Sequence, residues 1–341
     1  MTRSTVPVFG RRPALRVGLA AVVASVVACA PRVAASQPRA PSQKIGVLSF
    51  FAPPAGPLVD PLDVGFQQGL REIGLVEGQS VAVERRYAEF MPARLAAMAV
   101  DLVRLKVDVI FAVGQPARDA SRHATQTIPI VTMSGSDPVR EGWAKSLARP
   151  AGNITGLTFT FPELNAKRLE LLKEASPGLV RVAVLIDPVE VVDAVDVIRE
   201  AEAGAKRLGL QVQVLEIHGA KDLEAAFEKA RRGRAQALLT IATFPHRAQI
   251  ATLAARDRLI SMGESSPEIA EGFLLAYGAD IADLGRRCTL QIGKVLKGAP
   301  VGELPIERPT KFRLSVNLKA ATALGIALPQ TLLLRADEVV Q

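Results

Sequence analysis

The sequence predicts an α/β protein of two lobes, each built on a doubly wound parallel sheet. Three observations predict it. From Lys44 onward, short apolar runs alternate with amphipathic stretches. The apolar runs show little inward–outward alternation, as in strands covered by helices on both faces. The whole pattern then repeats, and 341 residues are enough for two domains of ordinary size. Only 4% of residues are aromatic while 49% are hydrophobic, so the cores are expected to be Leu, Val, Ile and Ala packed between helices and sheet.

The first 28 residues read as an export signal. Arg11, Arg12 and Arg16 form a basic region, and the apolar run 17–28 is too short to span a bilayer. The run ends in Val26-Val27-Ala28-Cys29, which resembles the lipobox of bacterial lipoproteins and implies lipidation of Cys29. Ordinary secretion is the alternative, with Val33-Ala34-Ala35 as a small-residue cleavage site. The Arg11-Arg12 pair hints at twin-arginine export, although Pro13 and Ala14 depart from that motif. Residues 29–43, rich in Pro, Ala and Ser, read as a flexible tether.

The elements then follow in order. Residues 45–51 predict a strand and 62–73 a helix closed by Gly74. Residues 81–87 predict a strand, and 95–105 a helix with Pro92 in its first turn. A buried strand at 107–113 ends in Gly114 and precedes a helix at 116–123. A strand at 128–133, a helix at 139–147 and a strand at 153–159 complete the first run. The second run predicts helices at 163–175, 192–208, 222–230, 245–256 and 281–296. Its strands fall at 181–186, 210–217, 237–242, 259–262 and 273–277.

Charge and motif content exclude several functions. The formal net charge is +8, but Arg3, Arg11, Arg12 and Arg16 supply four of those charges within the first 28 residues. The remaining bases are scattered among acids, which argues against a nucleic-acid partner. Cys29 ends the export signal and Cys288 falls inside a predicted helix. His123, His218 and His246 are isolated in sequence, so no metal site and no cofactor is expected. No glycine-rich dinucleotide or phosphate loop, no nucleophile elbow and no His-Glu-x-x-His occurs, so an enzyme is not expected.

In open parallel sheets, ligands sit beyond the carboxyl ends of the strands. In the first run those ends carry Ser49, Phe50, Gln115, Ser136 and Asp137. In the second they carry Asp187, Thr243, Phe244 and Glu264, with Tyr277 in the last strand. Amides at helix starts stabilise anions, and the acids can pair with an ammonium. Asp and Ser before a helix also serve as simple caps. The recurrence of polar groups at strand ends in both runs is what points to a small polar ligand held between two lobes.

These stretches also carry a family resemblance. GLREIGLVEG at 69–78, LVRLKVDVIFAVG at 102–114, IPIVTMSGSDPV at 128–139 and SLARPAGNITGL at 146–157 resemble the ABC-transporter substrate-binding protein family related to tryptophan-binding proteins. So do KRLELLKEASP at 167–177, AYGAD at 276–280 and LPIERPTKFRLSVNLKAATALG at 304–325. The resemblance covers nearly the whole chain after the tether. It implies a type I periplasmic-binding-protein fold, with two lobes joined by a multi-stranded hinge. It assigns residues 44–158 and 276–300 to the first lobe, and 159–275 and 301–341 to the second.

It further implies a periplasmic, monomeric receptor, anchored by lipid, that delivers a polar or amino-acid-like ligand to an ABC permease and its cytoplasmic ATPase. Members that bind aromatic amino acids use aromatic side chains, and the nearest candidates here are Phe50, Phe51, Phe159, Phe161, Phe244 and Tyr277. A ligand-binding accessory of a membrane sensor kinase and a secreted α/β enzyme are the alternative readings.

Overall fold

The computed structural model describes residues 43–53, 60–135, 137–159, 163–188, 191, 194–242 and 244–341. The expected leader, the tether up to residue 42 and Cys29 lie outside the described residues.

The first lobe is a five-stranded parallel sheet. Its elements are β1 (Gln43–Ser49), α1 (Pro61–Glu72), β2 (Val81–Tyr87), α2 (Pro92–Arg104), β3 (Val109–Val113), α3 (Gln115–Ala124), β4 (Ile130–Ser134) and β5 (Ile154–Thr158). The strand order is β2-β1-β3-β4-β5. Along β1, Ile45 and Val47 face one core and Leu48 the opposite one, the period of two that a sheet covered on both sides requires. Asp60 starts α1 by accepting the Leu62 N–H at 2.9 Å, and Pro61 occupies the first helical position.

The second lobe contains α4 (Glu163–Ala175), β6 (Arg181–Ile186), α5 (Ala194–Arg207), β7 (Gln211–Glu216), α6 (Leu223–Arg232), β8 (Ala237–Ile241), α7 (Arg247–Arg256), β9 (Ile260–Gly263), α8 (Ser266–Ala270) and β10 (Leu275–Ala279). The chain continues through α9 (Ile281–Leu296), β11 (Phe312–Asn317), α10 (Leu318–Leu324), α11 (Gln330–Arg335) and β12 (Glu338–Val340). The second sheet has seven strands in the order β12-β11-β10-β9-β8-β6-β7. Its parallel part, β6 to β10, repeats the topology of the first sheet. β11 pairs antiparallel to β10 and parallel to β12.

Helix α9 belongs to the first lobe although it follows the second sheet. Leu284, Cys288 and Ile292 enter the same core as Phe66 and Leu70 of α1. The two helices meet through glycines. A Cβ on Gly65 would stand 1.9 Å from the Ala282 carbonyl oxygen, and one on Gly285 would stand 2.6 Å from that of Leu62. The chain therefore passes between lobes three times: after β5, between β10 and α9, and again before β11.

Two features differ from the sequence expectation. The lobe boundaries shift. β10 pairs within the second sheet, so residues 276–279 lie in the second lobe. Residues 301–307 stay with the first. Thr158 N–H donates to Glu307 O at 3.0 Å, Glu307 N–H donates to Gly156 O at 2.9 Å, and Ile306 is buried in the first-lobe core. The helix expected at 139–147 is absent. A carboxylate oxygen of Asp137 accepts the Val139 and Arg140 amides, closing a turn instead, and the chain continues as turns and bends to the next strand.

The glycine contact generates a test. Gly65→Ala forces backbone apart at the α1–α9 interface, and is expected to cost about 3 kcal/mol, the upper range for overpacking. That corresponds to a melting temperature lower by roughly 6 °C or more. Gly178→Ala, where an added Cβ meets nothing within 4 Å, serves as the control and should leave it nearly unchanged. Equal melting temperatures for the two variants would contradict the close approach.

Candidate functional site

In each lobe the second strand of the fold lies on one side of the first, and the third strand on the other. The chain thus reverses direction between β1 and β3, and again between β6 and β8. Neighbouring loops leave such a pair on opposite faces, which opens a crevice at their carboxyl ends. Ser49 and Gln115 end up at the first switch point, and Asp187 and the loop after β8 at the second.

At the first switch point, Ser49 is buried and its Oγ accepts the Phe51 N–H at 3.1 Å. The N–H of Phe90 donates to Phe50 O at 2.8 Å, tying this loop to the one after β2. Gly114 links β3 to α3 with φ of 92°, a conformation glycine adopts without strain. It brings Gln115, half-buried, into the first turn of α3, where backbone N–H groups point out of the helix.

Phe50 requires a correction. Its side chain is 3% exposed and packs with Ala88, Leu95 and Ala117 in the core beneath α2 and α3, so it is not a ligand-facing ring. Successive residues at a strand end point to opposite faces, and the half-buried ring is Phe51. Phe50, Phe51 and Phe90 meet edge to face, with centroids 5.7–5.9 Å apart. Phe159, after β5, lies against Gly135.

Asp137 is exposed and its carboxylate caps the turn described above. Ser136, Thr243 and Phe161 lie outside the described residues. Phe244 opens a short 3-10 turn ahead of α7. Asp187 follows β6 directly and is 7% exposed. Tyr277 stacks on Phe312 at 6.3 Å.

Glu264 is held inside the second lobe. One carboxylate oxygen accepts from Arg168 Nη1 at 3.1 Å and the other accepts the Ala242 N–H at 2.6 Å. Arg168 also donates to the Tyr277 carbonyl at 2.8 Å and to Asn165 at 2.7 Å. One guanidinium therefore joins the ends of β9 and β10 to α4. Glu268 lies just beneath, fully enclosed, accepting the N–H groups of Glu264 and Ser265 and the Ser265 hydroxyl.

The first lobe has a counterpart in Arg118 on α3, 2% exposed. It pairs with Asp119 at 2.7 Å and Glu141 at 2.8 Å, donates to Ser134 Oγ at 3.2 Å, and lies over the Trp143 ring at 5.0 Å. It ties the helix that carries Gln115 to the loop that carries Asp137. Sequence reasoning missed both arginines, because a lone arginine on a helix reads as solvated. The available signal is that Arg118 lies between Ala117 and Ala120 on a short helix with Ser121 on its buried side.

Electrostatic contact between the lobes occurs away from the hinge as well. Arg140 of the first lobe pairs with Asp196 of the second at 3.1 Å. Burial raises the Asp60 carboxyl above its ordinary value. The Leu62 amide works against this rise, as does the charge of Arg247 from the second lobe. The strand ends of the first lobe thus carry the Ser49 hydroxyl and the first-turn amides of α3, and those of the second carry Asp187. Amides and hydroxyls can meet an anionic group, and a carboxylate a cationic one.

Comparison with known proteins adds the context. A family model described as "ABC transporter substrate binding protein" matches residues 44–340. A tyrosine-binding protein of Clostridioides difficile (strain R20291) is 25% identical over 276 residues, which cover 79% of this chain and 78% of that protein. Among solved structures, the ABC domain in complex with L-Trp from Streptococcus pneumonia superposes with a TM-score of 0.75 at 24% identity, covering 87% of this chain and 99% of that one. A conserved domain protein from Vibrio cholerae O1 biovar El Tor superposes with a TM-score of 0.77 at 24% identity, with the same coverage.

The Glu264–Glu268 pair has a measurable consequence. Burial, reinforced by the neighbouring Glu264 carboxylate, pushes the Glu268 carboxyl up from 4.5 to about 7. Between those values the folded chain keeps a proton that the unfolded chain has lost. Stability should therefore fall as pH rises from about 4.5 to about 7, by on the order of 3 kcal/mol, and level off above. Glu268→Gln removes the titration, and its denaturant midpoint should flatten over that window relative to the unmutated chain. A slope unchanged by the substitution would show that Glu268 titrates normally.

Proposed function

Because the chain belongs to the ABC transporter substrate binding protein family, we propose that it captures an amino-acid-type ligand between its lobes and delivers it to a membrane permease. Members of this family bind a substrate for transport and are not enzymes, and they act outside the cytoplasm. The observation that carries the proposal is the repeated strand order, which sets Ser49 and Gln115 of one lobe and Asp187 of the other at topological switch points. The L-Trp complex and the tyrosine-binding relative support an amino acid as the ligand class.

In this reading the first lobe takes the ligand carboxylate. The Gln115 amide and the Ser49 hydroxyl are the donors. Asp187 takes the ammonium from the second lobe. Glu264 stays paired with Arg168 and shapes the floor, and Tyr277, Phe51 and Phe159 supply the apolar walls. A ligand that touches both lobes gains its full contacts only when they close, so binding shifts the population toward closure. Outside the described residues, Cys29 carries a lipid that keeps the receptor at the membrane, and residues 1–28 direct export. No helix among the described residues is long and apolar enough to cross a membrane.

Two experiments test these proposals. Calorimetric titration with L-tyrosine, L-tryptophan and a panel of aliphatic amino acids should give saturable binding for at least one. Asp187→Ala should weaken it by about 2 kcal/mol or more, roughly 30-fold, because the buried ammonium loses its partner. If no amino acid binds, and small molecules released on denaturation contain no amine paired with a carboxylate, the ligand class is wrong. For the anchor, Cys29→Ser should abolish labelled palmitate incorporation and release the protein from the membrane fraction. A mature N-terminus found at Ser36 would overturn it.

A further inference from the structure

Arg168 of α4 stands at the carboxyl ends of the second sheet, with its side chain only 6% exposed. Its Nε and Nη1 are spent within the lobe. Nε donates to the Tyr277 carbonyl at 2.8 Å, and Nη1 donates to Asn165 at 2.7 Å and to Glu264 at 3.1 Å. Nη2 has no hydrogen-bond partner among the described residues. Nor is it one of the fully enclosed unpartnered atoms there, which are Glu141 Oε1, Gln213 Oε1, Gln291 Oε1 and Arg313 Nε. An arginine that is otherwise buried thus keeps one nitrogen open at the strand ends. We infer that Arg168 Nη2 is a specificity-determining donor, which selects amino acids whose side chain ends in a neutral oxygen acceptor. This rests on the amino-acid reading above and deepens it.

The surroundings of Nη2 are built around it. A Cβ on Gly278 of β10 would stand 1.9 Å from the Glu264 carbonyl oxygen and 3.6 Å from Arg168 Nη2, so a glycine keeps that side of the guanidinium clear. Glu264 is fixed from another side by Ala242, whose N–H it accepts at 2.6 Å. Ala242 has φ of 50°, a left-handed conformation that strains a residue with a Cβ. Such strain persists only where the surrounding contacts over-determine it. Here it aims the Ala242 amide at the carboxylate that steadies Arg168.

The strand order sets the distance to the proposed ammonium partner. β10, β9, β8 and β6 are successive neighbours, and Asp187 follows β6. At about 4.8 Å between strands, the ends of β9 and β10 lie roughly 10–14 Å from that of β6. Two hydrogen bonds of about 3 Å each leave roughly 4–8 Å between the ligand atoms that meet Asp187 and Arg168. The ammonium and carboxylate on one α-carbon are too close together to span this. A side chain bearing a terminal oxygen spans it.

Charge decides which oxygen. Glu264 already pairs with Arg168, so a ligand carboxylate at Nη2 would share one cation with a like charge. A phenol hydroxyl or an amide carbonyl accepts from Nη2 without that repulsion, and the charged donor makes the bond stronger than a neutral one would. An apolar side-chain end leaves Nη2 stripped of water and unpaired, which is how a polar site rejects an analogue lacking the acceptor.

Calorimetric titration of two matched L-series tests this: phenylalanine, tyrosine and para-carboxyphenylalanine, and norleucine, glutamine and glutamate. In whichever series binds, the hydroxyl or amide member should bind at least about tenfold more tightly than the apolar member, and more tightly than the carboxylate member. Arg168→Lys, checked for folding by its melting curve, should reduce the first preference to about threefold or less. Glu264→Gln keeps Arg168 and removes its countercharge, so the carboxylate member should gain about fivefold relative to its neutral counterpart. That variant decides the matter if Arg168→Lys does not fold. The inference falls if the unmutated chain shows no preference, if a folded Arg168→Lys keeps the preference, or if Glu264→Gln leaves the carboxylate ratio unchanged. It falls alone if neither series binds but another amino acid does. It falls together with the amino-acid reading if no amino acid binds.

Discussion

The architecture depends on one contact, the packing of α9 against α1. Without α9, much of one face of the first sheet would be exposed, with Phe66, Leu70 and the inward side chains of β1 and β3 uncovered. Burying Leu284 and Ile292 there contributes about 1.5–3 kcal/mol for each side chain. Glycines at 65, 69, 285 and 293 let the helices approach until backbone nearly meets backbone or side chain. Because α9 follows the second sheet in sequence, this contact forces the chain back across the hinge and then across again to complete β11. A two-lobed chain with a single linker would have no such restraint. Here the lobes can move only as three crossings bend together.

The two sheets then position the site without further specification. Each places its first strand between the second and third, so each opens a crevice at the carboxyl end of that strand. What the topology does not fix is how the loops there are held. That task falls to Arg118 and Arg168. A buried ion pair is rarely more stabilising than a well-packed apolar cluster, because desolvation offsets most of the attraction. The value of these arginines is geometric. Arg118 joins α3 to the 134–143 loop, and Arg168 joins α4 to the ends of β9 and β10. Each guanidinium has several donors in a fixed plane, so one side chain can set the spacing of two or three backbone segments.

Most of the fold was legible in the sequence because its signals are periodic. Strands such as 81–87 and 181–186 and helices such as 163–175 and 281–296 match the pattern of apolar residues closely. The stretch 139–147 also carries apolar residues at helical spacing, yet local hydrogen bonding from Asp137 and burial of Trp143 over Arg118 favour turns. The short elements after residue 311 are set by tertiary contacts and have too few residues to show a period. At the site, chemistry was legible and direction was not. Polar residues could be placed at strand ends, but whether Phe50 or Phe51 turned inward depends on which residue ends the strand. Glu264 read as a free acid because its partner Arg168 is 96 residues away in sequence.

The distribution of charge determines what holds the lobes together. At the rim, Arg140 and Asp196 are both close to half exposed, at 49% and 44% of their side-chain surface. An ion pair so hydrated contributes about 0.2–1 kcal/mol and weakens with salt. It guides the lobes into register but cannot hold them closed by itself. At the hinge, Asp283 is 6% exposed and gathers three cations, while Arg287 is 15% exposed and bound to Glu307. The hinge is therefore electrostatically firm and the rim is not. An equilibrium that the rim pulls only weakly toward closure can be carried to closure by a ligand whose affinity for the closed form exceeds that for the open form by a few kcal/mol. A firm hinge with a weak rim leaves that choice to whatever occupies the cleft, as the capture and release proposed above require.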